Sequence, residues 1–181
     1  KAIKIKPDFA DAYSNLGNIL SNIGKLQEAE LFTRKATDLN PNYPEAHSNL
    51  GNILKDLGNL KYAELSYRKA IELKPDYAEA HYNLGIILKD LGNLQHAEIS
   101  TCRAIDLNPN YAKAYYNLGN ILQELGKHEE AIKTWRKAVE LKPENEEAVI
   151  ALSLYLCIEK KYELALKYLK NNKSDSCQSV Y

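Results

Sequence analysis

The sequence reads AYSNLGNIL at residues 12–20, AHSNLGNIL at 46–54, AHYNLGIIL at 80–88 and AYYNLGNIL at 114–122. Each segment begins 34 residues after the one before it, and the same interval separates Pro7, Pro41, Pro75, Pro109 and Pro143. A strict period of this length indicates a stack of similar structural units, because each unit buries its apolar face against a neighbour.

Each copy has the pattern of two helices. In the first copy, apolar residues recur at helical spacing over residues 10–23 and again over residues 26–39. Gly24 lies between them, and a glycine after a helix can adopt the left-handed conformation that ends it. Pro41 ends the second segment, since proline lacks the N–H that a helix interior needs. The period predicts ten helices and no strand, with neighbouring helices antiparallel because their connections are short.

These residues match the pattern of the tetratricopeptide repeat, with a Leu-Gly pair in the first helix, alanines in the second helix and a closing proline. In the first copy the matching residues are Tyr13, Leu16, Gly17, Leu20, Ala29, Thr33, Ala36 and Pro41. Within that family, AYSNLGNIL followed by GKLQEAE most resembles the superhelical repeats attached to the protein O-linked N-acetylglucosaminyltransferases. The resemblance implies an all-α fold, a right-handed superhelical solenoid of antiparallel helix pairs. It does not transfer the glycosyltransferase activity, because nothing in the sequence matches that catalytic domain.

The repeat boundaries predict the domain organisation. Four complete repeats occupy residues 10–43, 44–77, 78–111 and 112–145, and residues 1–9 match the end of a truncated preceding repeat. Residues 146–171 resemble a degenerate fifth helix pair, in which Ser153 replaces the first glycine and Glu159-Lys160-Lys161 replaces the turn. The polar residues 172–181 are predicted to be a disordered tail.

Composition argues against several functions. The formal net charge is zero, and basic pairs such as Arg34-Lys35 have acidic neighbours, so no nucleic-acid partner is expected. No apolar run approaches the ~18 residues of a transmembrane helix, so no membrane partner is expected. Three irregularly spaced cysteines favour reduced thiols in a cytoplasmic protein over a disulfide framework.

No catalytic motif is present, so we expect no enzyme activity, no cofactor and no metal. His47 and His81 occupy the same position in successive first helices. A shared metal site would need their nitrogens about 2.1 Å from one zinc ion, whereas neighbouring helices lie roughly 8–10 Å apart. We therefore interpret both histidines as partly buried rings in an aromatic position.

The family resemblance implies that first helices line a concave groove, which makes one set of residues the candidate binding site. Asparagines recur in every repeat, and tyrosines flank them in two repeats: Asn15, Asn49, Asn83 and Asn117; Asn18, Asn52 and Asn120; Tyr82 and Tyr116. A primary amide offers both a donor and an acceptor, so a row of amides can pair with the backbone of an extended peptide. The sequence thus favours a non-catalytic module that binds a protein or peptide.

Other interpretations of the same pattern remain open. The asparagines could simply be polar residues on a wet surface. The chain could also be an architectural or self-assembling scaffold, or the substrate-recruiting arm of an enzyme whose catalytic domain lies outside these residues.

The apolar ends of the array predict end-to-end homo-oligomers. Ala2, Ile3 and Ile5 lie at one end and Leu164 and Leu169 at the other, and a solenoid end without a neighbour leaves such residues uncovered. Sedimentation velocity is expected to show association that rises with concentration. A monomer alone at high micromolar concentration would contradict the prediction.

Overall fold

A computed structural model describes residues 9–176, and within this range it contains ten α-helices and no strand, as predicted. The helices are α1 Ala10–Asn22, α2 Leu26–Leu39, α3 Pro44–Asp56, α4 Leu60–Leu73, α5 Ala78–Asp90, α6 Leu94–Leu107, α7 Ala112–Glu124, α8 His128–Leu141, α9 Glu146–Ile158 and α10 Tyr162–Ser176. The odd-numbered helices are the first helices of their pairs and the even-numbered helices are the second.

The chain divides into two compact units, one ending at Asn93 and the other beginning at Leu94. In the first unit, α1 pairs with α2 and α3 with α4, while α2 packs on α3 and α4 on α5. The first helices also contact one another, α1 with α3 and α3 with α5. In the second unit, α7 pairs with α8 and α9 pairs with α10. In addition, α6 packs on α7 and α8 packs on α9. Both units are α-solenoids of helix pairs.

The C-terminal boundary differs from the sequence prediction. Helix α10 continues past residue 171 to Ser176, so residues 172–176 belong to a helix and not to a disordered tail. Residues 177–181, like residues 1–8, lie outside the described part of the chain.

Close packing explains the glycines in the middle of the first helices α3 and α7. A Cβ atom on Gly51 would lie 2.6 Å from the Tyr67 ring, and one on Gly119 would lie 2.4 Å from the Trp135 ring. The alanines of the second helices are fully buried as well, Ala29 and its equivalents included. Small residues therefore let the two helices of a pair approach each other closely.

Tyr43 and Tyr77, which precede the first helices α3 and α5, interact across the joins with the preceding repeats. Tyr43 is half-buried and hydrogen-bonds with Asp11 and Ser14 of the preceding repeat. Burial raises the pKa of the Tyr43 hydroxyl, and the negative charge of Asp11 raises it further. The hydroxyl thus stays protonated near neutral pH.

The turn inside each helix pair needs a residue with positive φ. Gly24, Gly58, Gly92 and Gly126 have φ values of 80°, 78°, 77° and 75°. The last pair has Lys160 there, with φ 59°, and the next residue closes the same turn with a hydrogen bond from its N–H to the Leu156 carbonyl at 2.8 Å. A side chain in this conformation costs roughly 1–2 kcal/mol, which glycine avoids.

We expect Lys160→Gly to stabilise the last helix pair by about 0.5–1 kcal/mol, after allowing for the extra freedom of glycine in the unfolded chain. Amide hydrogen exchange in α9 and α10 should then slow by about two- to fivefold, since local opening governs exchange. The matched change Gly58→Ala should have the opposite effect, with faster exchange in α3 and α4. Unchanged exchange in both variants would contradict this account of the turn.

Candidate peptide-binding surface

The four asparagines that share one repeat position in the candidate site differ in exposure to solvent. We call Asn15, Asn49, Asn83 and Asn117 the amide row. Asn15 is exposed and Asn49 half-buried, whereas Asn83 and Asn117 retain only 9% and 6% exposure. Solvent therefore reaches the row most readily in α1 and α3.

Three members of the amide row donate a hydrogen bond inside the protein. Asn49 Nδ2 donates to Ser14 Oγ at 3.1 Å, and Asn83 Nδ2 donates to Asn52 Oδ1 at 3.2 Å. Both bonds join a first helix to the first helix of the preceding repeat. In the second unit, Asn117 Nδ2 donates to Thr101 Oγ1 at 3.3 Å. The amides therefore have a structural role, and each of these bonds uses one of the two amide hydrogens.

A second set of asparagines holds the large aromatic side chains of the second helices. Asn52 Oδ1 accepts a hydrogen bond from the Tyr67 hydroxyl at 2.7 Å, and Asn120 Oδ1 accepts one from Trp135 Nε1 at 3.0 Å. Both aromatic residues are buried, and burial raises the pKa of the Tyr67 hydroxyl so that it remains a donor. Asn18, the equivalent in the first repeat, is half-buried on α1.

The tyrosines of the candidate site lie on α5 and α7. Tyr82 and Tyr116 are both half-buried. Tyr116 and Asn120 line a groove of about 500 Å³ in the second unit, whose other wall is α9. The sequence interpretation missed that wall, which carries Ile150, Leu154 and Ile158. Extending the repeat register of Tyr116 and Asn120 by one period would have found the first two.

The histidines in the aromatic position bind backbone carbonyls. The Nε2 atoms of His47 and His81 lie 2.9 and 3.0 Å from the carbonyl oxygens of Pro41 and Pro75, as a half-buried donor ring requires. Among residues 9–176, no group of three or more His, Cys, Asp or Glu side chains could hold a metal ion. None of the helices described combines the length and apolar character that crossing a bilayer demands.

The residues named for end-to-end association can be followed at one end. Leu164 is half-buried in α10 and Leu169 is exposed. Ala2, Ile3 and Ile5 lie outside the described residues. Association of chains stays a prediction.

Comparison with known proteins places the repeats in one family. Models described as "Tetratricopeptide repeat" match residues 10–43, 112–145, 32–64 and 78–111, and a model described as "TPR repeat" matches residues 51–92. No curated protein matches the chain. The chain belongs to the tetratricopeptide-repeat family, whose members serve as protein-interaction scaffolds.

Solved structures share this architecture over most of the chain. MamA is 30% identical with a TM-score of 0.81, and the match covers 91% of this chain and 97% of MamA. YrrB, described as a TPR protein with an unusual peptide-binding site, is 27% identical with a TM-score of 0.76, over 95% of this chain and 89% of YrrB. PilF of Pseudomonas aeruginosa, at 24% identity and TM-score 0.85 over 91% of this chain and 75% of its own, shows the fold alone.

Two threonines at equivalent positions allow a direct test of the hydrogen bonds below the amide row. Both are fully buried, but Thr101 Oγ1 donates to the Ala97 carbonyl at 2.8 Å and accepts from Asn117, whereas Thr33 Oγ1 has no partner. Asn49 is the equivalent of Asn117 and would be the donor to Thr33, but it donates to Ser14 instead. An unpaired buried hydroxyl costs free energy that a methyl group does not.

We expect Thr33→Val to leave the free energy of unfolding unchanged or raise it by about 1 kcal/mol, because no hydrogen bond is lost. Thr101→Val should lower it by about 1–2 kcal/mol, because the buried Asn117 amide loses its acceptor. Chemical denaturation of the two variants measures the difference. Equal losses in both would show that the hydroxyl of Thr33 is also bonded.

Proposed function

We propose that this chain is a non-catalytic module that binds an extended segment of a partner protein. The segment lies on a face formed by first helices, chiefly α1 and α3, which we call the first-helix face. The observation that carries the proposal is the fixed orientation of Asn49 in the amide row. The bond from Asn49 to Ser14 holds that amide in place while its carbonyl oxygen and second hydrogen can pair with a peptide backbone. A side chain that is already ordered loses less entropy on binding.

The exposure gradient favours the first unit for the main role in binding. Asn15 is exposed and Asn49 half-buried on the adjoining helices α1 and α3, so both amides can reach a ligand. Asn83 and Asn117 are buried and contribute mainly by fixing their neighbours. Half-buried Tyr82 supplies flat apolar surface in the first unit, and half-buried Tyr116 does so in the second, which favours contact with ligand side chains in each.

Two likenesses support the proposal. YrrB has a similar fold and is described as having a peptide-binding site. The repeats also resemble those of the O-linked N-acetylglucosaminyltransferase superhelix, which carries a comparable row of asparagines. The sequence carries no catalytic motif, which agrees with a binding module. In such a module the affinity for a peptide is distributed over several weak hydrogen bonds.

The test uses a library of unstructured peptides, selected for binding to the parent protein and measured again on variants. Asn15→Ala/Asn49→Ala should weaken these peptides about tenfold, since each lost hydrogen bond contributes about 0.5–1.5 kcal/mol. Gln27→Ala removes an exposed amide from the second helix α2 and should leave binding unchanged.

A further control separates orientation from contact. Ser14→Ala breaks the bond that orients Asn49 but keeps both amides, so its effect on binding should be smaller than that of the double variant. Selected peptides that bind Asn15→Ala/Asn49→Ala as tightly as the parent would show that the amide row is not the binding element.

A further inference from the structure

The groove between α7 and α9 has a different chemical character from the amide row. We call it the apolar groove, and its walls carry Tyr116 and Asn120 on one side and Ile150, Leu154 and Ile158 on the other. The three aliphatic residues are 51%, 62% and 71% exposed. They are spaced four residues apart, so they form one stripe along a single face of α9.

The stripe is a departure from the repeat pattern. One period earlier, α7 has Tyr116, Asn120 and Glu124 at the positions of Ile150, Leu154 and Ile158. Exposing three aliphatic side chains in a row is unfavourable in water, and exposed apolar patches of this kind mark interaction sites.

The α9 wall of the groove offers few polar atoms to a ligand, whereas the amides of Asn120 and Gln123 lie on the α7 wall. Asn120 Oδ1 already accepts the Trp135 N–H, and the Tyr155 hydroxyl already contacts His128 Nδ1. An extended peptide would bring backbone N–H and C=O groups against the α9 wall, where they would lack partners, which is costly. An α-helix satisfies its own backbone hydrogen bonds and can present an apolar stripe to the groove.

The charge of the groove restricts the ligand further. Glu147 is exposed and is the one lining residue with a formal charge among those described. A carboxylate at the edge of an apolar groove favours a cationic side chain and disfavours an acidic one.

We propose that the apolar groove binds an amphipathic α-helix of a partner protein, with aliphatic residues against Ile150, Leu154 and Ile158 and a Lys or Arg beside Glu147. The inference rests on the proposed function only in using the first-helix face for binding. The two sites share Tyr116, but the aliphatic residues of α9 and the helical ligand belong to the apolar groove alone, so this inference can fail while the amide row binds peptides, or the reverse.

The probe is a fluorescently labelled synthetic helix of about 18 residues, long enough to be helical in water, with leucines at helical spacing and lysines on the flanks. A second peptide replaces the lysines with glutamates, and a third has a proline at its centre. Fluorescence anisotropy measures their binding to the whole chain. The lysine peptide should bind at least about tenfold more tightly than either of the others, since proline breaks the helix and glutamate repels Glu147.

Each of the first two variants introduces a residue that another repeat of this chain has at the equivalent position. Leu154→Asn/Ile158→Glu installs the side chains of Asn120 and Glu124 and should weaken the lysine peptide about tenfold or more. Ile99→Lys is the matched control, because Ile99 is 65% exposed on the second helix α6 and Lys133 stands one period later. It should change binding by less than about twofold, since α6 does not line the groove. Glu147→Gln should reduce the preference for lysine over glutamate.

Three results would overturn the proposal. One is equal binding of the lysine peptide to Leu154→Asn/Ile158→Glu and to the parent. Another is equal binding of the proline peptide and the helical peptide. The third is concentration-dependent association of the parent that Leu154→Asn/Ile158→Glu abolishes, together with no peptide binding, which would make a second copy of this chain the occupant.

Discussion

The contact between a first-helix glycine and a large aromatic side chain of the second helix determines how the pairs α3–α4 and α7–α8 are built. Gly51 lies against the Tyr67 ring and Gly119 against the Trp135 ring, at distances that leave no room for a Cβ atom. The aromatic ring fills the space between the helices, and its polar atom then needs a partner. Asn52 and Asn120 provide that partner one residue after the glycine. Packing and hydrogen bonding at this point are therefore one arrangement.

Most of the fold could be predicted from the sequence, because the residues that pack the helices recur at a fixed interval. The 34-residue period fixed the number of helices, and second helices such as α2 begin and end at the predicted residues. First helices end one residue earlier than predicted, because Ile23 and its equivalents already belong to the turn that the positive-φ glycine closes. At α10 the polar composition suggested disorder, but the helix continues to Ser176. Helical periodicity is readable from one sequence, whereas the point at which a polar helix stops is not.

The candidate site was less predictable, because the register of a residue does not determine its burial. Asn15 and Asn117 share one position in the repeat, yet one is exposed and the other buried. Their hydrogen bonds depend on which neighbour the preceding repeat offers: Asn49 bonds Ser14 and Asn83 bonds Asn52, both on its first helix, whereas Asn117 bonds Thr101 on its second helix. Such choices depend on side-chain geometry in three dimensions. The apolar groove was missed for a related reason, since α9 departs from the pattern that revealed the other repeats.

The position of Trp135 has a practical consequence for following the second unit in solution. It is the single tryptophan of the sequence, it is almost fully buried, and its indole N–H donates to Asn120 at the edge of the apolar groove. An indole in an apolar surrounding emits at shorter wavelength than one in water. Excitation that selects tryptophan over the thirteen tyrosines thus gives an emission from one place in the molecule, and its spectrum reports the packing of α7, α8 and α9 around that ring.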